Sequence, residues 1–173
     1  MQNEVLKALR ERRSVKSYLP DPVPQDAIDA IIEAGLYAPN GRGLQSSIII
    51  AVTDKETRDR LSDLNKRFFP KDIDPFYGAP VVLIVLADKS APTCVYDGSL
   101  TMGNMMLAAH SLGLGSCWIH RAKQMFESEE GKKLLSDLDV EGDYEGIGNC
   151  IIGYAASEPE AKERKANRVF YIK

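Results

Sequence analysis

Ser47-Ile48-Ile49-Ile50-Ala51-Val52-Thr53 is a β-branched run flanked by turn-forming residues, and such a run reads as a strand buried within a sheet. Upstream of it stands Asn40-Gly41-Arg42-Gly43, a polar, glycine-rich turn. Before that turn, a helix beginning near Pro24 places Ile28, Ile31, Ile32 and Leu36 at helical spacing, and it must stop before Pro39. A first helix, capped by Asn3 and running to about Arg12, carries Val5, Leu6 and Leu9 on one face. Downstream, Thr53 or Asp54 caps a charged helix that turns Leu61, Leu64 and Phe68 inward, and a loop from Pro70 to Gly78 leads to a second strand, Pro80–Ala87. From Asp97 to Leu112 the chain is apolar on nearly every side, the pattern of a helix buried centrally or in a subunit interface. A short strand Ser116–His120, a helix over Lys123–Asp137 and a last strand Ile147–Tyr154 complete the core. Helices alternate with strands too regularly for a bundle, so the expectation is a layered α+β domain with helices covering a sheet.

The chain of 173 residues, 44% hydrophobic, suffices for one well-buried core, and a single domain over 1–173 is expected. Its formal charge of -3 and pI near 5.5 argue against a general nucleic-acid or membrane-surface binder. Residues 5–9 are broken by Lys7 and do not read as a signal sequence; Pro80–Ala87 is too short to span a bilayer. A cytoplasmic location is the resulting expectation. Cys94, Cys117 and Cys150 are widely spaced, form no CxxC pair, and are expected to be reduced and mostly buried.

Against that acidic background the cations are clustered. Arg12-Arg13-Ser14-Val15-Lys16 places three cations and a hydroxyl in five residues, a composition suited to a phosphate-binding corner. The same residues would also serve as a solvated basic helix end facing the negative pole of the helix dipole. A second cluster, Lys162-Glu163-Arg164-Lys165 with Arg168, lies near the other terminus, before the strand-like Val169-Phe170-Tyr171-Ile172. An apolar strand at a terminus is often added to a sheet edge, and exchange with a second subunit is the expectation here.

The residues exclude several chemistries. His110 and His120 are the only histidines; there is no GxSxG elbow, and His110 in the apolar helix reads as a hydrogen-bonded core residue. No histidine pair falls at metal-ligand spacing, and neither GxGxxG nor a Walker loop is present. What remains is cationic, anion-binding clusters at both ends, the Asn40 turn, and Ser116-Cys117-Trp118-Ile119-His120 emerging from glycines. Those parts suit a phosphorylated planar cofactor that supplies the chemistry itself.

Arg12-Arg13-Ser14-Val15-Lys16-Ser17-Tyr18 followed by Ala38-Pro39-Asn40-Gly41-Arg42-Gly43-Leu44-Gln45 resembles the N-terminal signature of the FMN-dependent nitroreductase family. The resemblance continues through Asn104–Ala109, Gly113–Ile119, Ile152-Gly153-Tyr154 and Lys162-Glu163-Arg164, nearly the whole chain. It implies a three-layer α+β sandwich with a central mixed sheet, and an intertwined homodimer that exchanges its C-terminal strand and binds FMN at the interface. By the same resemblance Arg12, Arg13, Ser14 and Lys16 contact FMN, Lys162 and Arg164 add phosphate contacts, and Asn40, Gly41 and Gly43 form a turn given by the partner. Trp118, Ile119 and His120 match a strand end beside the flavin ring. Two features depart from the family: Ser46-Ser47 stands where many relatives have proline and an aromatic residue, and His120 where glycine is common. The implied activity is a ping-pong NAD(P)H oxidoreductase, with NADH or NADPH as donor and nitroaromatics, quinones or related small molecules as acceptors. No protein side chain is expected to be catalytic. A flavin-binding or redox-sensing protein without turnover, and a small-anion-binding module, are the alternative readings.

Overall fold

The computed structural model describes residues 3–173. Four strands form one sheet in the order β1-β2-β4-β3, where β1 is Ser47–Val52, β2 Val81–Asp88, β3 Gly115–Ile119 and β4 Tyr144–Gly153. Each neighbouring pair is antiparallel. The sheet was expected to be mixed; among the described residues the only parallel pairing is an isolated bridge between Ser14 and Ser116. That bridge lays the chain after the first helix along the outer edge of β3, where Val15 N–H donates to the Ser116 carbonyl at 3.0 Å.

β2 explains the three layers. Val81, Leu83, Val85 and Ala87 join one apolar cluster, while Val82, Ile84 and Leu86 join another on the opposite face. Because successive strand residues point to opposite faces, a strand buried on both sides must be apolar throughout. Helices α2 (Gln25–Leu36) and α4 (Cys94–Ser111) cover the first face; α3 (Lys55–Lys66) and α5 (Ala122–Glu127) cover the second. The approach of α5 to the sheet depends on Gly146 of β4, where a Cβ would stand 2.3 Å from the Ala122 carbonyl.

Caps fall where the side-chain chemistry places them. Asn3 accepts from Leu6 N–H to open α1 (Glu4–Glu11), and Asp54 accepts from Thr57 N–H to open α3. The single helix expected over 123–137 is two, α5 and α6 (Glu129–Asp137), because Ser128 adopts an extended backbone and caps α6 by accepting from Gly131 N–H. Phe68, expected inward, lies beyond the end of α3 and is exposed. The apolar stripe of α1 meets no core: Val5 and Leu9 are exposed and no residue of α1 is buried. Val5 and Ala8 border an apolar groove of about 350 Å³ shared with Ala34, Leu107 and Ala108. Residues 157–173 are exposed and carry no regular secondary structure.

Candidate functional site

The segment after α1 leaves the helix at Arg12 and is held to the sheet edge by the Ser14–Ser116 and Tyr18–Ala155 bridges. Arg12, Ser14 and Lys16 converge beside β3. Burial pushes the Cys117 thiol up, opposed by a hydrogen bond from the Ser14 side chain and by the charges of Lys16 and Arg12. Lys16 Nζ also lies 5.9 Å from the centroid of Tyr77, within cation–π reach. Arg12 is half-buried, and its Nη1 is fully buried with no hydrogen-bond partner. A buried, unpaired guanidinium donor is costly. Among the described residues the carboxylates pair instead with cations of α3, α5, α6 and the loops, such as Arg58, Arg67, Lys123 and Lys133. The orphaned nitrogen therefore fits an anionic group arriving from outside the chain.

Arg13 is placed differently. Its Nη1 donates to the carbonyls of Arg10 and Arg12, at 2.5 and 2.8 Å, neutralising the end of α1. It lines a cleft of about 480 Å³ together with Glu11, His110, Ser116, Glu158 and Pro159. His110 is half-buried in that cleft without a side-chain hydrogen bond among the described residues, where a hydrogen-bonded core position was expected. Ala161 reaches the same cleft, so Lys162 and Arg164 follow directly from its rim; both are exposed and join no ion pair among the described residues.

The Asn40 turn is rigid but distant from this grip. Asp97, buried in the first turn of α4, accepts from Gly41 N–H at 2.9 Å, Ser46 Oγ at 2.7 Å and Thr93 Oγ1 at 3.0 Å. Burial raises the Asp97 pKa, but these three donors outweigh it and hold the carboxyl below its ordinary value. Asn40 Oδ1 accepts from Gln45 N–H, and Gly43 takes a left-handed backbone. The turn leads into β1, one edge of the sheet, whereas Arg12–Lys16 runs along β3, the other edge. Three strand spacings, about 14 Å, separate those edges. A single chain does not bring Asn40, Gly41 and Gly43 to Arg12.

At the end of β3, Ile119 is buried with the α3/α5 layer and His120 is exposed. The Trp118 indole packs on the opposite face, against Gly148, where a Cβ would lie 2.4 Å from Nε1. Only its backbone is available on the Cys117 side of the strand. Beside His120 the structure assembles residues that sequence reasoning missed. The His120 carbonyl accepts from Asn65 Nδ2 at 2.9 Å, Arg121 Nε donates to Asn65 Oδ1 at 3.0 Å, and Arg121 Cζ sits 4.3 Å over the Phe69 ring. Tyr77 neighbours both Lys16 and Arg121. Residues 16, 65, 69, 77 and 121 share no motif. The available signals were the aromatic, proline-bounded loop Phe68–Tyr77 and, for the turn, an acid inside an otherwise apolar α4.

A sequence model of the nitroreductase family matches residues 9–154. A protein from Methanothermobacter thermautotrophicus is 32% identical over 66% of this chain; the chain spans 60% of that relative's length. An FMN reductase (NAD(P)H) of Bacillus subtilis is 28% identical, with 94% of this chain and 70% of the relative covered. Among solved structures, a nitroreductase with bound FMN from Bacteroides fragilis matches at a TM-score of 0.90 and 28% identity, over 99% of this chain and 100% of that one.

Proposed function

This chain belongs to the nitroreductase family, and from that premise we propose that it is an FMN-dependent NAD(P)H oxidoreductase reducing nitroaromatic, quinone or related small acceptors. The observation that carries the reading is the orphaned, buried Arg12 Nη1 at the head of Ser14 and Lys16. Those three residues supply the charge and hydrogen bonds that a phosphorylated flavin needs. Lys162 and Arg164, one step beyond the Arg13 cleft, add cations from the tail.

FMN, when bound, supplies the acceptance of hydride from the nicotinamide nucleotide and its transfer to the acceptor. The chain's own residues bind and orient. Arg12 and Ser14 fix the phosphate end, Lys16 places a positive charge toward the ring end, and the backbone at Ile119 and His120 offers polar groups at the strand terminus. No side chain is assigned as acid, base or nucleophile. Absence of a dinucleotide fingerprint accords with a nicotinamide nucleotide that binds transiently and departs before the acceptor enters.

The site works as part of a homodimer. Three observations support this: the Asn40 turn lies on the far sheet edge from Arg12, the apolar face of α1 is uncovered, and Val169–Ile172 is exposed. A second copy would cover the last two and offer its turn to the first. The protein acts in the cytoplasm; among the described residues no helix is long and apolar enough to cross a membrane.

Purified protein should be yellow and release FMN on denaturation. Stopped-flow mixing with NADH or NADPH should bleach it rapidly. Colourless protein that gains no flavin absorbance from added FMN overturns the assignment, while bound flavin that stays yellow leaves a flavoprotein without turnover.

A further inference from the structure

Arg121 is held in place on two sides and open on the third. It follows β3 with a left-handed backbone, φ +77. One face of its guanidinium rests on Phe69, with Cζ 4.3 Å from the ring centroid, and its Nε edge is tied to Asn65 Oδ1 at 3.0 Å. Asn65 is fully buried and is itself fixed by donating to the His120 carbonyl and to Met125 Sδ. The guanidinium is partly desolvated, and no carboxylate acts on it among the described residues. Nη1 and Nη2 form no hydrogen bond with another described residue. The fork that remains is the edge whose two parallel N–H groups match a carboxylate. Immobilising a half-buried cation without a partner costs stability, and an anion that completes the fork repays the preorganisation.

The neighbours give the location. The Tyr77 ring centroid lies 5.9 Å from Lys16 Nζ, and Tyr77 is near enough to Arg121 to act on its charge, so Arg121 stands in the neighbourhood of the lysine assigned to the flavin. Tyr77 is not a loose residue. Asp74, three positions earlier, accepts from Phe76 N–H, Gly78 N–H, Ser62 Oγ and the buried Arg58, which clamps the loop at both sides of Tyr77.

We propose that Arg121 is a specificity-determining residue that binds the anionic group of a reducible aromatic acceptor, so that carboxylated acceptors are favoured over their neutral counterparts. This inference rests on the oxidoreductase reading of the neighbouring site. Phe69 and Asn65 are positioning residues for the guanidinium, and Tyr77 stands near both Arg121 and Lys16.

The matched pair 4-nitrobenzoate and 4-nitrobenzamide tests it on FMN-loaded protein with NADH as donor. Wild type should favour the carboxylate in kcat/KM. Arg121→Gly, which the left-handed backbone accommodates without strain, should lose about tenfold or more of that preference through KM for nitrobenzoate. Arg121→Lys should retain part of it. Calorimetric titration with benzoate, which is not reduced, needs no turnover: heat of binding is expected for wild type and none for Arg121→Gly. Equal treatment of the two acceptors by wild type, an equal fall for both in Arg121→Gly, or a weakened FMN or NADH interaction in that variant with the acceptor ratio unchanged would each overturn the proposal. Failure of wild type to bind FMN or oxidise NADH sinks the oxidoreductase reading instead, and the benzoate titration still decides whether Arg121 binds a carboxylate.

Discussion

Arg12 combines cost and use in one side chain. Its Nη1 is buried without a partner, so the FMN-free protein carries an unmet donor. Arg12→Ala should therefore leave the melting temperature of FMN-free protein unchanged or raise it, while weakening FMN binding about tenfold or more, read by flavin fluorescence titration. A variant that loses stability and keeps its FMN affinity would remove the phosphate role. Burial raises the Cys117 thiol and pushes Cys150 up to about 12. The sequence expectation of reduced, mostly buried cysteines holds: all three are free, Cys117 and Cys150 are buried, and Cys94 is half-buried. The basic cluster was legible as a set; its division was not. Whether Arg12 or Arg13 faces an incoming anion depends on where the chain leaves α1, and that exit is fixed by pairing with β3, a hundred residues away in sequence.

At the level of elements, the break between α5 and α6 was invisible because both halves read as one helical pattern. Ser128 makes the break and Gly131 permits the close turn after it: a Cβ there would stand 2.1 Å from the Met125 carbonyl oxygen. Alanine is the better helix former by about 1 kcal/mol, but forcing an atom into filled space costs about 1–3 kcal/mol and here meets backbone. Gly131→Ala should destabilise the protein and lower the Tm by a few degrees, roughly 2–8 °C; an unchanged or higher Tm in thermal melts would show that the two helices can slide apart. The loop after α3 depends on a carboxylate. Burial pushes Asp74 up, yet donors from Ser62, Arg58, Gly78 and Phe76 outweigh it and hold the group below its ordinary range. A carboxyl depressed by folding contributes stability that is complete above its unfolded value, near 3.8, and is lost as pH falls through the lower folded value. Denaturant melts of Asp74→Asn should show lower stability at neutral pH and a shallower loss between about pH 5 and 2 than wild type. Parallel pH profiles for the two proteins would remove Asp74 as the latch.

For the molecule as a whole, the exposed tail and the two sheet edges are where the proposed homodimer is tested. Val169, Phe170, Tyr171 and Ile172 are exposed by 68, 87, 81 and 105%, an arrangement that water opposes unless another surface covers them. Deletion of residues 169–173 should shift sedimentation from dimer toward monomer and weaken FMN retention with it; an unchanged dimer would place the interface elsewhere. The order β1-β2-β4-β3 puts the Asn40 turn and the Arg12 grip on opposite edges, so the loss of dimer and the loss of FMN are expected to appear together. Local pattern was enough to determine the layers at β2, because burial on both faces of a strand demands the unbroken apolar run at 80–87, and capping chemistry fixed the helix starts at Asn3 and Asp54; the run at 47–53, which reads as a buried strand, is only partly buried because it lies at the sheet edge. The sequence by itself also supplied the cations, the turn and the aromatic strand proposed for the site. Only the tertiary structure decided which of them meet. The gathering of Lys16, Asn65, Phe69, Tyr77 and Arg121, and the separation of Arg12 from Asn40, follow from strand order and loop placement, long-range contacts whose register no local pattern encodes.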